Sequence, residues 1–166
     1  MTQFLRAART ISASLALMTS ACAFAGAADK LSVADPYVRL NPPGTRVTAA
    51  YMVLKNAGDK DIKVTKAANP ASKLTELHNH FNEGGVMKMR QVPAIEVKAK
   101  GETALQPSGL HVMMIDLKEA LKEGQIVPIT LTLDDGSEKK VDAVVKNPTA
   151  AAPAKNEHAG HDMNKH

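Results

Sequence analysis

Short hydrophobic runs separated by turn clusters extend from about Leu31 to Lys146. The runs are rich in Val, Ile, Leu, Thr and Tyr, and clusters such as NPPG, NAGD, PSG and DDGS lie between them. In the run ITLTL, the apolar residues Ile129, Leu131 and Leu133 alternate with threonines, which indicates a strand with one buried and one solvated face. Short strands of this kind, separated by frequent turns, are typical of an all-β sandwich or barrel.

The same pattern locates the individual elements. The stretch LKEALKEG, near residues 117–124, is the only one that indicates a helical turn. The predicted strands are LSVADPYVRL, AAYMVLKN, DIKVTKAA, TELHNHF, VMKMRQV, TALQ, HVMMIDL, IVPITLTL and KKVDAVV.

Both ends of the chain differ from this pattern in composition. Residues 1–28 combine arginines, the apolar run ISASLALM and the small residues AFAGAA, which is typical of an export signal cleaved near residues 25–28. The apolar run is too short to remain as a membrane span. Residues 29–147 are therefore expected to form one domain, and residues 148–166, rich in Pro, Ala and Lys, a flexible tail.

The single cysteine, Cys22, lies inside the predicted signal. One alternative is that Cys22 becomes the acylated first residue of a lipoprotein, because the small residues of TSAC suit such a site, although Thr19 replaces the usual aliphatic residue. If cleavage instead follows Ala25, the mature chain has no thiol. It then lacks disulfides, thiolate metal sites and cysteine nucleophiles.

The charge pattern argues against nucleic-acid binding. The formal net charge is +4, and part of it belongs to the signal. In segments such as KNAGDKDIK and DDGSEKK the lysines alternate with acidic residues, which indicates a solvated surface rather than a basic patch.

Histidine and methionine are concentrated in the stretch HNHFNEGGVMKM. If Asn82 to Gly85 form a four-residue connection, His78 pairs with Met89 and His80 pairs with Met87. Side chains alternate along strands, so all four would project from one face, with opposed Cβ atoms about 4.5–5.5 Å apart. Each imidazole and thioether could then approach one metal ion.

A second pair lies in GLHVMMIDL, where His111 and Met113 share a face of an extended strand and Met114 points toward the core. If this strand neighbours the hairpin, two imidazoles and two thioethers could bind one ion. Thioether sulfur prefers Cu(I), whereas structural zinc sites use cysteine, or histidine with carboxylates. A blue-copper site requires a thiolate, so a mature chain without Cys22 cannot form one.

Other interpretations of these residues remain open. Single methionines such as Met87 often fill cores, and a single histidine such as His80 often lies on a surface. A structural β-sandwich with incidental His and Met residues would bind no stoichiometric copper. A copper-dependent oxidase or reductase would need an open coordination position, which the soft ligand set does not favour. Metal-free Ser/His/Asp chemistry would have to recruit Ser108 or Ser137 from turns without a supporting motif, so we expect no catalytic activity.

The tail carries its own candidate metal ligands, His158, His161, Met163 and His166. The pattern His-x-x-His-x-Met in a flexible segment can wrap a metal ion, and imidazole-rich flexible sites favour Cu(II). The alternative is a solubilising end whose histidines have no role.

At these positions the chain resembles the periplasmic copper chaperone family PCuAC. The family motif H-x10-M-x21-H-x-M matches His78, Met89, His111 and Met113 without a gap. The segments RLNPPGTRVTAAYMVLKNAGD, GGVMKMR and LKEGQIVPITLTL also resemble the family's early turn and strand, its Met-bearing strand and its penultimate strand.

This resemblance implies a fold and a role. The fold would be a cupredoxin-like Greek-key β-sandwich, and the four motif residues would bind Cu(I) at a surface end of it. The protein would be periplasmic and deliver copper to an acceptor, chiefly the binuclear copper site of cytochrome c oxidase, alongside a Sco-type protein. The tail would form a second site suited to Cu(II). We expect a monomer; the alternative function is copper storage or detoxification without a specific acceptor.

Overall fold

The computed structural model describes residues 26–147, which form ten β-strands and one four-residue helix. The elements in chain order are α1 (Ala27–Lys30), β1 (Leu31–Arg39), β2 (Val47–Asn56), β3 (Ile62–Ala68), β4 (Ser72–Glu83), β5 (Val86–Gln91), β6 (Ile95–Val97), β7 (Glu102–Leu105), β8 (His111–Leu117), β9 (Ile126–Leu133) and β10 (Glu138–Lys146).

Hydrogen bonds join the strands in the order β5-β4-β8-β2-β1-β10-β9-β3-β6, and β7 pairs with β2 beside this path. The β1–β10 pair is parallel and the other pairs are antiparallel. Strand β3 also contacts β4, and β6 contacts β2 and β7, so the sheet folds over itself around one apolar core. This is the expected all-β, cupredoxin-like Greek-key β-sandwich.

Alternation along the strands builds the core. Ile129, Leu131 and Leu133 of β9 are buried, as the alternating pattern predicts, and the threonines between them are only partly buried. In β8, Val112 and Met114 are fully buried, which confirms the core position predicted for Met114. His111 and Met113 project from the opposite face of β8.

Two sequence expectations about the elements are wrong. Residues 118–125 form bends and turns rather than a helical turn, and the helix of the structure is Ala27–Lys30. The short strand β6 was not predicted, although both Ile95 and Val97 are buried. A three-residue strand shows too little alternation to be detected from sequence.

The hairpin between β4 and β5 has a tighter turn than predicted. Glu83 pairs directly with Val86, so only Gly84 and Gly85 connect the strands. Both glycines have positive φ, +61° and +86°, which is the conformation that a two-residue type I′ turn requires. The predicted four-residue connection is therefore wrong.

The tighter turn changes the pairing of the hairpin. His80 lies opposite Met89, and His78 lies opposite Gln91; the predicted pairs His78–Met89 and His80–Met87 are wrong. Met87 lies opposite Asn82 instead. Because the register differs by two residues, every side chain keeps its predicted face.

Candidate metal site

The histidines and methionines of three neighbouring strands meet on one face of the sheet. Strand β4 lies between β5 and β8, and its His78 is directly opposite His111 of β8. Since directly opposed residues project to the same side, Met89 of β5 and Met113 of β8 share this face with both β4 histidines, His78 and His80. Strands β4 and β8 are therefore neighbours, which is the condition for both His/Met pairs to bind one ion.

One contact at this corner joins an imidazole directly to a thioether. Nε2 of His111 lies 3.2 Å from Sδ of Met89. The His111 side chain is buried, whereas Met89 is 43% exposed. One partner is therefore fixed within the protein, and the other is accessible from solvent.

The backbone carbonyl of Gly109 sets the tautomer of His111. Nδ1 of His111 lies 2.9 Å from this oxygen, and a carbonyl can only accept, so the proton of the neutral ring lies on Nδ1. Burial lowers the pKa of His111, the bond to Gly109 opposes this, and neighbouring His80 and His78 lower the pKa further. The ring is therefore neutral at pH 7, with the Nε2 lone pair facing Met89.

His78 is oriented by a carboxylate that the sequence argument missed. Its Nε2 lies 2.7 Å from Oε2 of Glu76, while its Nδ1 is buried without a hydrogen-bond partner. A carboxylate that accepts from one ring nitrogen leaves the other as a donor to a metal. Glu76 lies two residues before His78, so strand alternation alone could have placed it on this face.

His80 lies on the more open side of His111. Its Nδ1 is 3.4 Å from the Gly109 carbonyl, a long contact, and its ring centroid is 5.2 Å from that of His111. A surface cavity of about 430 Å³ is lined by His80, Met89, His111 and Met113 and by residues of the turn after β1 and of β2. Tyr51, with its ring centroid 6.2 Å from that of His111, forms part of the wall.

The predicted candidate residues fall into three groups. The structure brings His78, His80, Met89, His111 and Met113 together. Met87 is 51% exposed and lies two residue pairs nearer the turn than Met89. Cys22 lies outside the described residues. So do the tail candidates, which are His158, His161, Met163 and His166.

The candidate metal-binding atoms of this corner are imidazole nitrogens and thioether sulfurs. Within residues 26–147, no three side chains of His, Cys, Asp or Glu are grouped in a way that could hold a metal ion. The imidazoles instead lie beside thioethers, which suit a soft monovalent ion such as Cu(I) better than hard cations.

Within residues 26–147, no helix has the length and apolar character of a membrane span.

Comparisons with known proteins agree with this fold. The model of the family described as "Putative lipoprotein LpqE-like" matches residues 31–145. "Putative lipoprotein Lxx21020" of Leifsonia xyli subsp. xyli is 31% identical over 121 residues, which cover 72% of each chain.

Among solved structures, that of CuI-DR1885 from Deinococcus radiodurans is 39% identical. It superposes with a TM-score of 0.61 over 76% of this chain and 84% of its own. The copper-bound PCuAC domain from PmoF2 has the same TM-score, 0.61, at 20% identity, over 72% of this chain and 94% of its own. At 20% identity, the likeness to the PmoF2 domain concerns the fold alone. The family match covers most of the chain, and the protein belongs to the LpqE-like family.

Proposed function

We propose that this protein binds Cu(I) through His78, Met89, His111 and Met113 and delivers it to a copper-accepting protein. The observation that carries the proposal is the 3.2 Å contact between Nε2 of His111 and Sδ of Met89. A tetrahedral ion with metal–nitrogen and metal–sulfur bonds of about 2.0 and 2.3 Å would hold two such atoms about 3.5 Å apart. The apo arrangement therefore needs only a small expansion to accept an ion.

The chemistry of the donors supports Cu(I) as the cargo. The lone pair of His111 Nε2 and the unpartnered Nδ1 of His78 are candidate nitrogen ligands, and both methionines supply neutral sulfur. Copper(I) accepts such soft ligands, whereas Mg²⁺ and Ca²⁺ require oxygen. The Cu(I) form of DR1885, a protein 39% identical to this chain, is consistent with this assignment.

The exposure of the thioethers supports transfer rather than permanent binding. Met89 is 43% exposed and Met113 is partly buried at the wall of an open cavity. Incoming ligands of an acceptor can reach the ion from this side and replace the thioethers one at a time. The acceptor we propose is the binuclear copper site of cytochrome c oxidase or a Sco-type protein, and the compartment is the periplasm.

The tail and the N-terminal segment have proposed roles of their own. We propose that His158, His161, Met163 and His166 capture Cu(II), because imidazole-rich chains favour that ion. The lipoprotein descriptions of the family and of the Leifsonia protein support export, and they favour testing acylation at Cys22 by mass spectrometry of the mature N-terminus.

The site is tested by anaerobic Cu(I) titration against a chromophoric chelator. The mature full-length chain is used with its four tail candidates replaced by Ser or Leu, so that only the domain competes. The double variant Met89→Leu and Met113→Leu is expected to lose about a hundredfold or more in affinity, because it removes both thioethers. The swap conserves volume, so folding is retained.

Met87→Leu is the matched control, because it removes an exposed thioether on the same face, two residue pairs nearer the turn. It should bind one equivalent as the parent does. Equal affinity of the double variant and the parent would refute the site. Copper transfer from the loaded parent to a purified oxidase copper domain then distinguishes a chaperone from a storage protein.

A further inference from the structure

Two imidazoles on one strand flank the buried ring of His111. The ring centroid of His78 is 5.8 Å from that of His111, and that of His80 is 5.2 Å away. They are two residues apart on β4, so they project from the same face about 7 Å from each other along the strand. An ion bound between His111 and Met89 therefore has an imidazole on either side.

The two imidazoles differ in how firmly they are held. His78 is 12% exposed, and its Nε2 contacts Glu76 at 2.7 Å. His80 has only the 3.4 Å contact with the Gly109 carbonyl, and it lines the open cavity together with Met89, His111 and Met113. His78 is thus the inner, fixed imidazole and His80 the outer, loosely held one.

We propose that His80 is an outer copper ligand that exchanges with His78 while His111 and Met89 remain bound. This inference rests on the proposed Cu(I) site and describes how the ion enters and leaves it. As copper moves toward the cavity, the bond to Nδ1 of His78 breaks and a bond to Nε2 of His80 forms. Copper remains Cu(I), one copper–nitrogen bond replaces another, and no proton or electron is transferred.

The free nitrogens of the two rings suit this exchange. The carbonyl of Gly109 lies 2.9 Å from Nδ1 of His111 and 3.4 Å from Nδ1 of His80, so in each ring Nε2 is the nitrogen left free to bind the ion. Because His80 is directly opposite Met89, its ring lies on the same side of the hairpin as the thioether that would already bind the ion. The outer position therefore has the same kinds of donor as the inner one: two imidazoles with Met89 and Met113.

The test is a double-variant cycle with His78→Ala and His80→Ala in the full-length chain whose tail ligands have been replaced. Cu(I) affinity is measured by competition with a chromophoric chelator, and folding by thermal unfolding of the apo proteins. Either imidazole can substitute for the other, so each single variant should lose about tenfold or less. The double variant should lose at least about thirtyfold more than the product of the two single losses.

Lys88→Ala is the matched control, because Lys88 pairs with Phe81 on the opposite face of the hairpin and should leave the affinity unchanged. The exchange is refuted if His80→Ala has no effect both alone and in the His78→Ala background. It is also refuted if either single variant abolishes binding, because no replacement ligand would then exist. These outcomes leave the proposed function standing, since its Cu(I) site is refuted by normal binding in the Met89 and Met113 double variant and its delivery role is tested by the transfer assay.

Discussion

The two hairpins β4–β5 and β9–β10 have the same secondary structure but opposite patterns of burial. In β9, buried residues alternate with exposed or partly buried ones, and Ile129, Leu131 and Leu133 are fully buried. All six residues of β5 are exposed, including Met87 and Met89. Both hairpins turn through glycines with positive φ, so the difference does not come from the turns.

The difference shows what each hairpin contributes to the protein. Burying a leucine or isoleucine side chain stabilises the fold by about 1.5–3 kcal/mol, so β9 contributes mainly to stability. The thioethers of β5 bury little area and stabilise the fold little, and under the proposed function their exposure lets incoming ligands replace them. On that proposal the β4–β5 hairpin carries function at small cost to stability, and the predictions below test this separation.

The largest expected effect is on folding and comes from the β9–β10 hairpin. Leu131→Ala should lower the free energy of unfolding by about 2–5 kcal/mol, because it leaves a cavity in the core. Met87→Ala, its counterpart in β5, should change it by less than about 0.5 kcal/mol. Chemical denaturation measures both, and comparable losses in the two variants would contradict the separation.

An intermediate effect is expected on copper binding and comes from Glu76. Glu76→Leu removes the acceptor that holds His78 and should weaken Cu(I) binding by up to about tenfold, the loss expected when His78 itself is removed. Glu76→Gln keeps an oxygen acceptor for the same N–H and should lose less. Chelator competition measures the affinities, and nitrogen NMR of the imidazoles follows the His78 tautomer. If the Leu variant matched the parent in both, Glu76 would have no positioning role.

The smallest effect is expected at the hairpin turn. An alanine Cβ at Gly85 would meet no atom within 4 Å, but the φ of +86° is unfavourable for any residue with a side chain. Gly85→Ala should therefore lower the free energy of unfolding by about 1 kcal/mol. Gly85→Asn should cost less, because asparagine tolerates positive φ better than alanine does. Equal unfolding midpoints for the Ala variant and the parent would show that the turn is not constrained.

Most strands could be predicted from alternation and turn residues. The limits of β8 and β9 coincide with the predicted HVMMIDL and IVPITLTL, because both are long enough to show a period of two. Strand β6 was missed because three residues give almost no periodicity. The expected helical turn near 117–124 was wrong, since a single turn of amphipathic residues has little intrinsic helical stability outside a packed context.

The candidate site was predicted in composition but not in its pairing. Because side chains alternate along a strand, the sequence placed His78 and His80 on one face of β4, and His111 and Met113 on one face of β8. The structure agrees. The register of the β4–β5 hairpin was wrong by two residues. NEGG is compatible with both a four-residue and a two-residue connection, so it does not specify the pairing.

The sequence by itself determined which side chains share a face, because successive residues of a strand project to opposite sides whatever the strand pairs with. Only the tertiary structure decided that β8 lies beside β4, which brings His111 against His78 although 33 positions separate them in the chain. It also decided that Gly109 and Glu76 hold the two rings through different nitrogens. Such contacts depend on non-local strand pairing, which is set by the packing of the whole core rather than by any local pattern.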